Sequence, residues 1–289
     1  MRSEREMFGI ILDVARRDAR VRAVYMNGSR TNPNVQKDQY QDYDIVFVVT
    51  ETASFLADKN WISIFGELAI VQEPDSRDFG WGLDHDCFRS YTWLMLFKDG
   101  SRIDLGIKVL ELALEDYSSD TLCKKLLDKD TILPPAPEAN DSMYWIQPPT
   151  KPQYAGCCNE FWWCLNNVAK GIARDQMPYA LRMYHQTVHN ELEKMTEWYI
   201  GSQHHFSITT GKFGKYLKQY LPPDTYEQYM KTYPLGQRDS MWNAVFTACS
   251  LFRYFALSVA DDCGYIYNMG DDENMASYLT GVQKDCHSV

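Results

Sequence analysis

The sequence lacks the cysteine and histidine spacings that mark zinc sites and disulfide-bonded domains. Its eight cysteines form no CxxC motif, and the histidines at positions 85, 185, 189, 204 and 205 form no HExxH motif. We therefore expect the cysteines to be reduced, as is typical of cytoplasmic proteins. The adjacent Cys157 and Cys158 are expected to pack in a helix rather than to take part in redox chemistry.

Long apolar runs are also missing from the sequence. No apolar stretch approaches the roughly 20 residues that a membrane-spanning helix needs. The first six residues are largely charged and lead into an amphipathic pattern, whereas a signal peptide would carry an apolar core there. The sequence therefore predicts a cytoplasmic protein with no membrane partner.

Basic residues are scarce relative to acidic ones. The chain has 29 lysines and arginines against 39 aspartates and glutamates, for a formal net charge of −10. Binding to a nucleic acid depends on basic surface, so this balance argues against a nucleic-acid substrate. Acidic clefts concentrate cationic ligands, so a cationic small molecule is the favoured partner.

A pair of carboxylates follows a Gly-Ser turn in the first third of the chain. One predicted strand runs into Gly28 and Ser29, and the next predicted strand opens with Asp42 and Asp44. Alternate residues of a strand point to the same face, so both carboxylates can share one face. Such a pair suits Mg²⁺, which binds one or two carboxylates together with substrate phosphates.

The turn itself has the chemistry of a phosphate site. Gly28 allows a positive φ and a close approach of the backbone to a ligand. The amides and the hydroxyl of Ser29 can cradle a phosphate, and Arg30 adds positive charge. Together with the carboxylates, these are the parts needed to transfer a nucleotidyl group.

A third acid is carried by a predicted hairpin. Residues 91–97 and 102–109 flank Asp99-Gly100, which is a strong hairpin signal. On the second arm apolar side chains alternate with polar ones, so Asp104 faces away from the apolar set. We expect Asp104 to join the other two acids, although a hairpin-borne acid can also simply be solvated.

The remaining pattern predicts an α+β chain of two domains. A helix over 4–19 and a mostly helical stretch over 52–65 belong with a strand over 68–72 to an N-terminal domain, residues 1–135. Six of the twelve prolines fall between positions 134 and 152, so residues 136–152 are predicted to be a stiff connection. Residues 153–289 are predicted to form an all-helical bundle, with helices over 161–174, 179–199, 214–220, 224–231 and 240–261.

These residues together resemble a known family. The Gly-Ser turn, Asp42, Asp44 and Asp104 resemble the polymerase-β-like nucleotidyltransferase superfamily. A closer similarity is to the streptomycin-modifying aminoglycoside 6-adenylyltransferases. It is carried by residues 26–33, 41–49, 161–175, 198–201 and 211–217 and by Asp104 in its hairpin, and it extends from Met26 to about Leu221.

The resemblance implies a fold and a reaction. It implies a nucleotidyltransferase domain on a short mixed sheet, with a helical substrate-binding domain that closes over it. It also implies transfer of AMP from Mg·ATP to a hydroxyl of streptomycin, at the 6-position, with release of pyrophosphate. This chemistry inactivates the antibiotic and so confers resistance.

Residues from both halves of the chain are predicted to bind the nucleotide. Asp42 and Asp44 are predicted to bind Mg²⁺ and so to hold the triphosphate. Asp104 is either a third metal ligand or the general base for the drug hydroxyl, with a slight preference for the base by analogy with related aminoglycoside adenylyltransferases. Given the resemblance, Lys212 and Lys215, at a predicted helix start, are expected to hold the β- and γ-phosphates.

The drug site is predicted from acids and an aromatic side chain. Streptomycin carries guanidinium groups, which pair with carboxylates and stack on rings. The candidates are Asp86, Trp163, Asp175 and Glu191. The protein is expected to be a monomer.

Two alternatives stay open at this point. The acids handle the nucleotide and not the acceptor, so the acceptor can instead be a lincosamide, another aminoglycoside or a protein side chain. The chain can also be a non-catalytic nucleotide-binding module that kept the fold. The three intact acids argue against this second alternative, because repelling carboxylates have no structural reason to stay together.

Overall fold

The computed structural model of the protein describes residues 1–77, 85–117 and 119–287. The described residues separate into two compact units, Met1–Met143 and Tyr144–Val289. The first unit is built on a β-sheet and the second is helical, which confirms the predicted α+β class.

One mixed sheet forms the centre of the first unit. Within the described residues six strands pair in the order β3-β4-β5-β2-β1-β6. They are β1 (Val21–Asn27), β2 (Tyr43–Val49), β3 (Leu68–Gln72), β4 (Ser90–Phe97), β5 (Arg102–Val109) and β6 (Cys123–Asp128). β2 and β5 are parallel, and the other neighbouring strands are antiparallel.

Short helices accompany the sheet. They are α1 (Glu4–Arg17), α2 (Ala53–Ala57), α3 (Pro74–Arg77) and α4 (Leu110–Asp116), with 3₁₀ turns at Ser29–Thr31 and Trp61–Phe65. α1 begins at a capping box in which Ser3 and Glu6 satisfy each other's backbone N–H groups. The helical prediction over 52–65 is therefore broken into one short α-helix and one 3₁₀ turn.

The two faces of the sheet carry different side chains. Ile45, Phe47 and Leu105 belong to a core that includes the buried side of α1, whereas Val46 packs in a second cluster with Ala113 of α4. Since side chains alternate along a strand, Asp44 and Asp104 lie on the α4 side of the sheet. The predicted hairpin is confirmed, with Gly100 at a φ of 84° in its turn.

The second unit consists of helices packed around one apolar core. They are α5 (Lys151–Ala173), α6 (Met177–Met183), α7 (His189–Gln203), α8 (Leu217–Tyr220), α9 (Pro223–Met230), α10 (Arg238–Cys263) and α11 (Met269–His287). A π-helical turn, Tyr184–Val188, joins α6 to α7. The predicted helix start at 161 is wrong by ten residues, because Thr150 and Gln153 form a capping box and Pro152 lies in the first turn, where proline is favoured.

α10 corrects the expectation about apolar runs. Among the described residues, this helix alone has the length and the apolar composition of a membrane span, and 56% of its most apolar window is buried inside the protein. Trp242, Phe252 and Phe255 of α10 are fully buried in the core of the second unit. The apolar residues of α10 thus contribute to helix packing.

Candidate active site

The register of two central strands brings the acids together. Asp44 of β2 is the direct partner of Asp104 on parallel β5, and on the other side it is the partner of Asn27 on β1. Asp42 lies two residues before Asp44, immediately ahead of β2. Facing residues of neighbouring strands are close, so both carboxylates of the Asp44–Asp104 pair lie at the same place on the sheet.

Gly28 makes room for one of these carboxylates. Its φ is 77°, and a Cβ placed on it would lie only 2.2 Å from Oδ2 of Asp44. Ser29–Thr31 then form a 3₁₀ turn, in which the backbone N–H and the hydroxyl of Thr31 donate to the Gly28 carbonyl at 3.0 and 2.8 Å. Glycine is required here both for the backbone conformation and for the contact with Asp44.

Arg102 joins two of the acids. Its Nε and one terminal nitrogen donate to the two carboxylate oxygens of Asp104 at 2.8 and 2.7 Å. The other terminal nitrogen lies 3.3 Å from Oδ2 of Asp42. The guanidinium is thus shared between Asp42 and Asp104, in the planar geometry that favours bidentate pairing.

The carboxylates are electrostatically crowded. Burial raises the pKa of Asp44 to about 6, and the nearby Asp104 and Asp42 carboxylates add to the rise. Burial also raises the pKa of Asp42, which the Arg102 guanidinium opposes. Neighbouring carboxylates that share a partly buried site need a cation to stay ionised together, and a hard divalent ion with oxygen ligands meets that need.

The donor set fits Mg²⁺ in chemistry but is not prearranged around an ion. In the described part of the chain no three Asp, Glu, His or Cys side chains converge on one metal position. The Arg102 contacts account for this, because they direct the oxygens of Asp42 and Asp104 to the guanidinium. Asp44, Asp42 and Asp104 would therefore hold the ion after a local rearrangement of side chains.

Arg30 has partners of its own beside the Gly-Ser turn. The side chain is 4% exposed, and its guanidinium lies 3.9 Å from the ring centre of Tyr43. It donates to the carbonyls of Gln41 and Asp42 at 2.6 and 3.2 Å and pairs with Glu4 at 3.3 Å. These contacts fix the segment that leads into Asp42, so Arg30 supports the site through the backbone. Its predicted contact with phosphate stays a prediction.

Ser29 keeps its predicted position in the turn. The residue is partly buried, and its carbonyl accepts a hydrogen bond of 3.4 Å from Nε2 of Gln41. The same carbonyl also accepts the backbone N–H of Asn32 at 3.2 Å, within the 3₁₀ turn.

Lys212 and Lys215 belong to the second unit, and both are exposed. Their predicted position at a helix start is wrong. A 3₁₀ turn, Lys212–Gly214, is followed only by the four-residue α8, because Phe213 and Gly214 have φ angles of 56° and 68° that interrupt a helix. The ammonium group of Lys212 lies 5.3 Å from the ring centre of Phe213, and that of Lys215 lies 5.0 Å from the ring centre of Tyr216.

The four candidate drug-binding residues have different surroundings. Asp86, in the first unit, is exposed and accepts the N–H of Phe88 at 3.0 Å. In the second unit Asp175 is exposed and lies 3.6 Å from Arg238, whereas Glu191 is buried and pairs with Lys194 at 2.6 Å.

Trp163 is the aromatic candidate, and it is 65% exposed while the adjacent Trp162 lies in the core. Trp163 lines a groove of about 380 Å³ between α5 and α11, together with Asn166, Asp271 and Tyr278. An exposed ring beside amide and carboxylate groups can stack on a cationic or sugar-like ligand.

Two residues of the site were not predicted from the sequence. Arg102 lies two positions before Asp104 on a strand, and this spacing alone places both side chains on one face. Asn27 is the register partner of Asp44, and its Oδ1 is buried with no hydrogen-bond partner among the described residues. Its position next to Gly28 was the only signal in the sequence.

A mixed sheet that carries a Gly-Ser turn and three aspartates on neighbouring strands, in a chain with a helical second unit, defines a nucleotidyltransferase. The profile of the Streptomycin adenylyltransferase family matches residues 1–282. The chain belongs to this family, which confirms both the resemblance and the enzyme class expected from the sequence.

Individual relatives are similar over nearly the whole chain. An aminoglycoside 6-adenylyltransferase of Bacillus subtilis (strain 168) is 37% identical over 284 residues, which are 98% of each chain. One from Campylobacter jejuni is also 37% identical, covering 98% of this chain and 97% of its own. One from Staphylococcus aureus is 33% identical over 269 residues, covering 92% and 94%.

A solved structure is also similar. The crystal structure of an aminoglycoside 6-adenyltransferase from Bacillus subtilis matches 98% of this chain and 99% of its own, at 32% identity and a TM-score of 0.48.

Proposed function

We propose that the protein transfers AMP from Mg·ATP to a hydroxyl of an aminoglycoside, releases pyrophosphate and so confers resistance to the antibiotic. Streptomycin is the proposed acceptor and its 6-position the proposed site. The family of the chain and the names of its relatives support the reaction class. The net charge of −10 favours a cationic acceptor.

The observation that carries the proposal is the register of Asp44 and Asp104. Two carboxylates, Asp44 and Asp104, face each other on adjacent parallel strands, and Arg102 links Asp104 to Asp42, so the three acids form a compact site next to a Gly-Ser turn. A bound Mg²⁺ supplies positive charge that neutralises the triphosphate during in-line displacement. Asp42 and Asp44 are the proposed ligands of this ion.

Asp104 has one of two proposed roles. As a third ligand it completes the carboxylate set around the ion. As a general base it takes the proton of the drug hydroxyl while the hydroxyl oxygen forms its bond to the α-phosphorus and the bond to pyrophosphate breaks. We keep the slight preference for the general-base role that was given in the sequence analysis.

Other side chains are proposed to bind the two substrates. Ser29, next to Gly28 and Arg30, is proposed to bind phosphate oxygens, and Lys212 and Lys215 are proposed to hold the β- and γ-phosphates. Asp86, Trp163, Asp175 and Glu191 are proposed to bind the drug. We further propose that the enzyme acts in the cytoplasm, which is compatible with eight cysteines that form no disulfide in the described part of the chain, and that it is a monomer.

The test is a product assay with a panel of acceptors. Purified protein is incubated with Mg·ATP and streptomycin, and both pyrophosphate and the mass of the drug are measured. A gain of one AMP by streptomycin is the expected result, and NMR of the product then gives the modified hydroxyl. Pyrophosphate that appears only with kanamycin, lincomycin or a polypeptide acceptor would overturn streptomycin as the substrate.

A further inference from the structure

Arg102 occupies the position of a cation among the acids. It makes a two-pronged contact with Asp104 and reaches Asp42 with its remaining terminal nitrogen. The side chains of Arg102, Asp42 and Asp104 are 42, 36 and 18% exposed, so the group is accessible from solvent. A guanidinium held in this way neutralises carboxylates that would otherwise repel one another.

The carboxylate oxygens of Asp42 and Asp104 cannot bind Arg102 and a metal ion fully at the same time. A metal ion that binds Asp42 and Asp104 needs oxygen lone pairs that now face Arg102, as hydrogen-bond acceptors in Asp104 and as an ion pair in Asp42. The protein would therefore lose some of the Arg102 contacts whenever a divalent ion binds. Arg102 is long and partly exposed, so it can move away without disturbing the core.

We propose that Arg102 is an internal counter-ion that holds the acidic site together and competes with the divalent cation for Asp42 and Asp104. This inference rests on the proposed function, because that function places the metal at these carboxylates. Arg102 is a positioning residue in this scheme: it sets how readily the site accepts an ion, and it takes no part in bond formation.

An alternative role for Arg102 predicts the opposite change in metal affinity when Arg102 is removed. If Arg102 only oriented the carboxylates for the ion, its removal would leave them misplaced, and metal affinity would fall. If Arg102 competes with the ion, its removal strengthens metal binding. It also lowers the stability of the metal-free protein, because the carboxylates then repel one another. The direction of the change in metal affinity therefore separates the two roles.

The experiment measures Mn²⁺ binding without nucleotide, by calorimetry or by the EPR signal of free Mn²⁺. Mn²⁺ takes the same oxygen ligands as Mg²⁺. Arg102→Gln is expected to bind Mn²⁺ about three- to tenfold more tightly than the wild type, as the loss of a partly exposed ion-pair competitor implies. Arg102→Lys keeps the positive charge without the planar guanidinium, and its Mn²⁺ affinity is expected to lie between those of the wild type and Arg102→Gln.

The matched control is Arg22→Gln. Arg22 forms a similar two-pronged contact with Asp130, at 2.6 and 2.5 Å, on the same sheet but with none of the three acids. Its removal is expected to leave Mn²⁺ affinity unchanged. Thermal unfolding gives a second readout: without metal Arg102→Gln melts below the wild type, and Mn²⁺ raises its melting temperature by more.

The outcomes separate the two levels of the proposal. Unchanged or weaker Mn²⁺ binding by Arg102→Gln, together with wild-type binding that Asp44→Asn removes, would overturn the role of Arg102 alone. Wild-type Mn²⁺ binding that does not depend on Asp44 would overturn both the metal site and the role of Arg102. AMP transfer by the wild type is measured separately and tests the proposed function itself.

Discussion

Gly28, the residue after β1, lies against the carboxylate of Asp44 on β2. A side chain at position 28 would begin 2.2 Å from Oδ2 of Asp44, and the φ of Gly28 is 77°. The Gly-Ser turn and the partly buried Asp44 carboxylate are thus one structural unit, in which the missing side chain of Gly28 makes the space for Asp44.

Gly28→Ala is therefore expected to displace Asp44 and to strain the turn. Left-handed strain costs about 1–2 kcal/mol in the free energy of unfolding, and a displacement of about 1 Å at a reacting centre can lower the rate about 100-fold. Steady-state kinetics and urea unfolding measure the two effects.

Gly9→Ala is the control for this substitution. Gly9 lies inside α1, and apart from its chain neighbours and the backbone of its own helix no atom of the described residues lies within 4 Å of its would-be Cβ. Alanine there is expected to add about 0.5–1 kcal/mol of stability and to leave the rate unchanged. Equal effects of both substitutions would contradict the account of Gly28.

Asp44→Asn is expected to abolish AMP transfer while the fold is retained. Because the pKa of Asp44 is raised to about 6, the folded protein prefers the protonated form, and this contribution to stability is lost as pH rises from about 4 through 6. In EDTA at pH 8 the asparagine variant should exceed the wild type by up to about 3 kcal/mol, and the difference should vanish near pH 4. Urea unfolding at the two pH values measures it. A variant that turns over, or one that is less stable at pH 8, would contradict this assignment.

For His189, in the second unit, we expect stability to depend on pH in the opposite direction to that for Asp44. Burial lowers its pKa to about 4, and His185 adds to the shift. The ring lies 2.9 Å from the Thr232 hydroxyl. Stability from this neutral histidine is present above pH 6.5 and is lost as pH falls towards 4, by up to about 3 kcal/mol.

His189→Gln keeps a polar group for Thr232 but cannot titrate. Urea unfolding between pH 7.5 and 4.5 should show a smaller decline in this variant than in the wild type. His204→Gln, at an exposed position, serves as the control and should decline as the wild type does. Identical declines in all three proteins would show that His189 does not titrate as the structure indicates.

Asp272 holds a buried polar network in the second unit. It is fully buried and pairs with Arg253, and it also accepts the hydroxyl of Tyr267 at 2.8 Å. Asp272→Asn leaves the Arg253 charge without its partner and should cost about 2 kcal/mol or more. Asp13→Asn removes a surface pair with Arg16 and should cost about 0.5 kcal/mol or less. Thermal or urea unfolding compares the two.

The sequence allowed the acidic strands to be predicted because their signals are local. Alternation placed Asp104 away from the apolar side, and Asp99-Gly100 marked the hairpin. The pairing of Arg102 with Asp42 depends on the parallel register of β2 and β5, whose residues are about sixty positions apart in the chain. No local pattern contains that information.

Other errors have equally physical reasons. Pro152 indicated an extended connection, whereas the Thr150 capping box makes it the first turn of α5. β6 was not predicted because its sequence, Cys-Lys-Lys-Leu-Leu-Asp, does not alternate, and it becomes a strand through pairing with β1. α11 was not predicted because its apolar residues follow no clear helical period.

The strand order protects the acidic site against local unfolding. β5 and β2 are the two middle strands of the sheet, with two strands outside each of them. Fraying begins at sheet edges, so the backbone amides around Asp44 and Asp104 should exchange their hydrogens only when the whole first unit opens. On heating, the three acids should keep their mutual geometry until that unit melts, and they should then separate in one cooperative step.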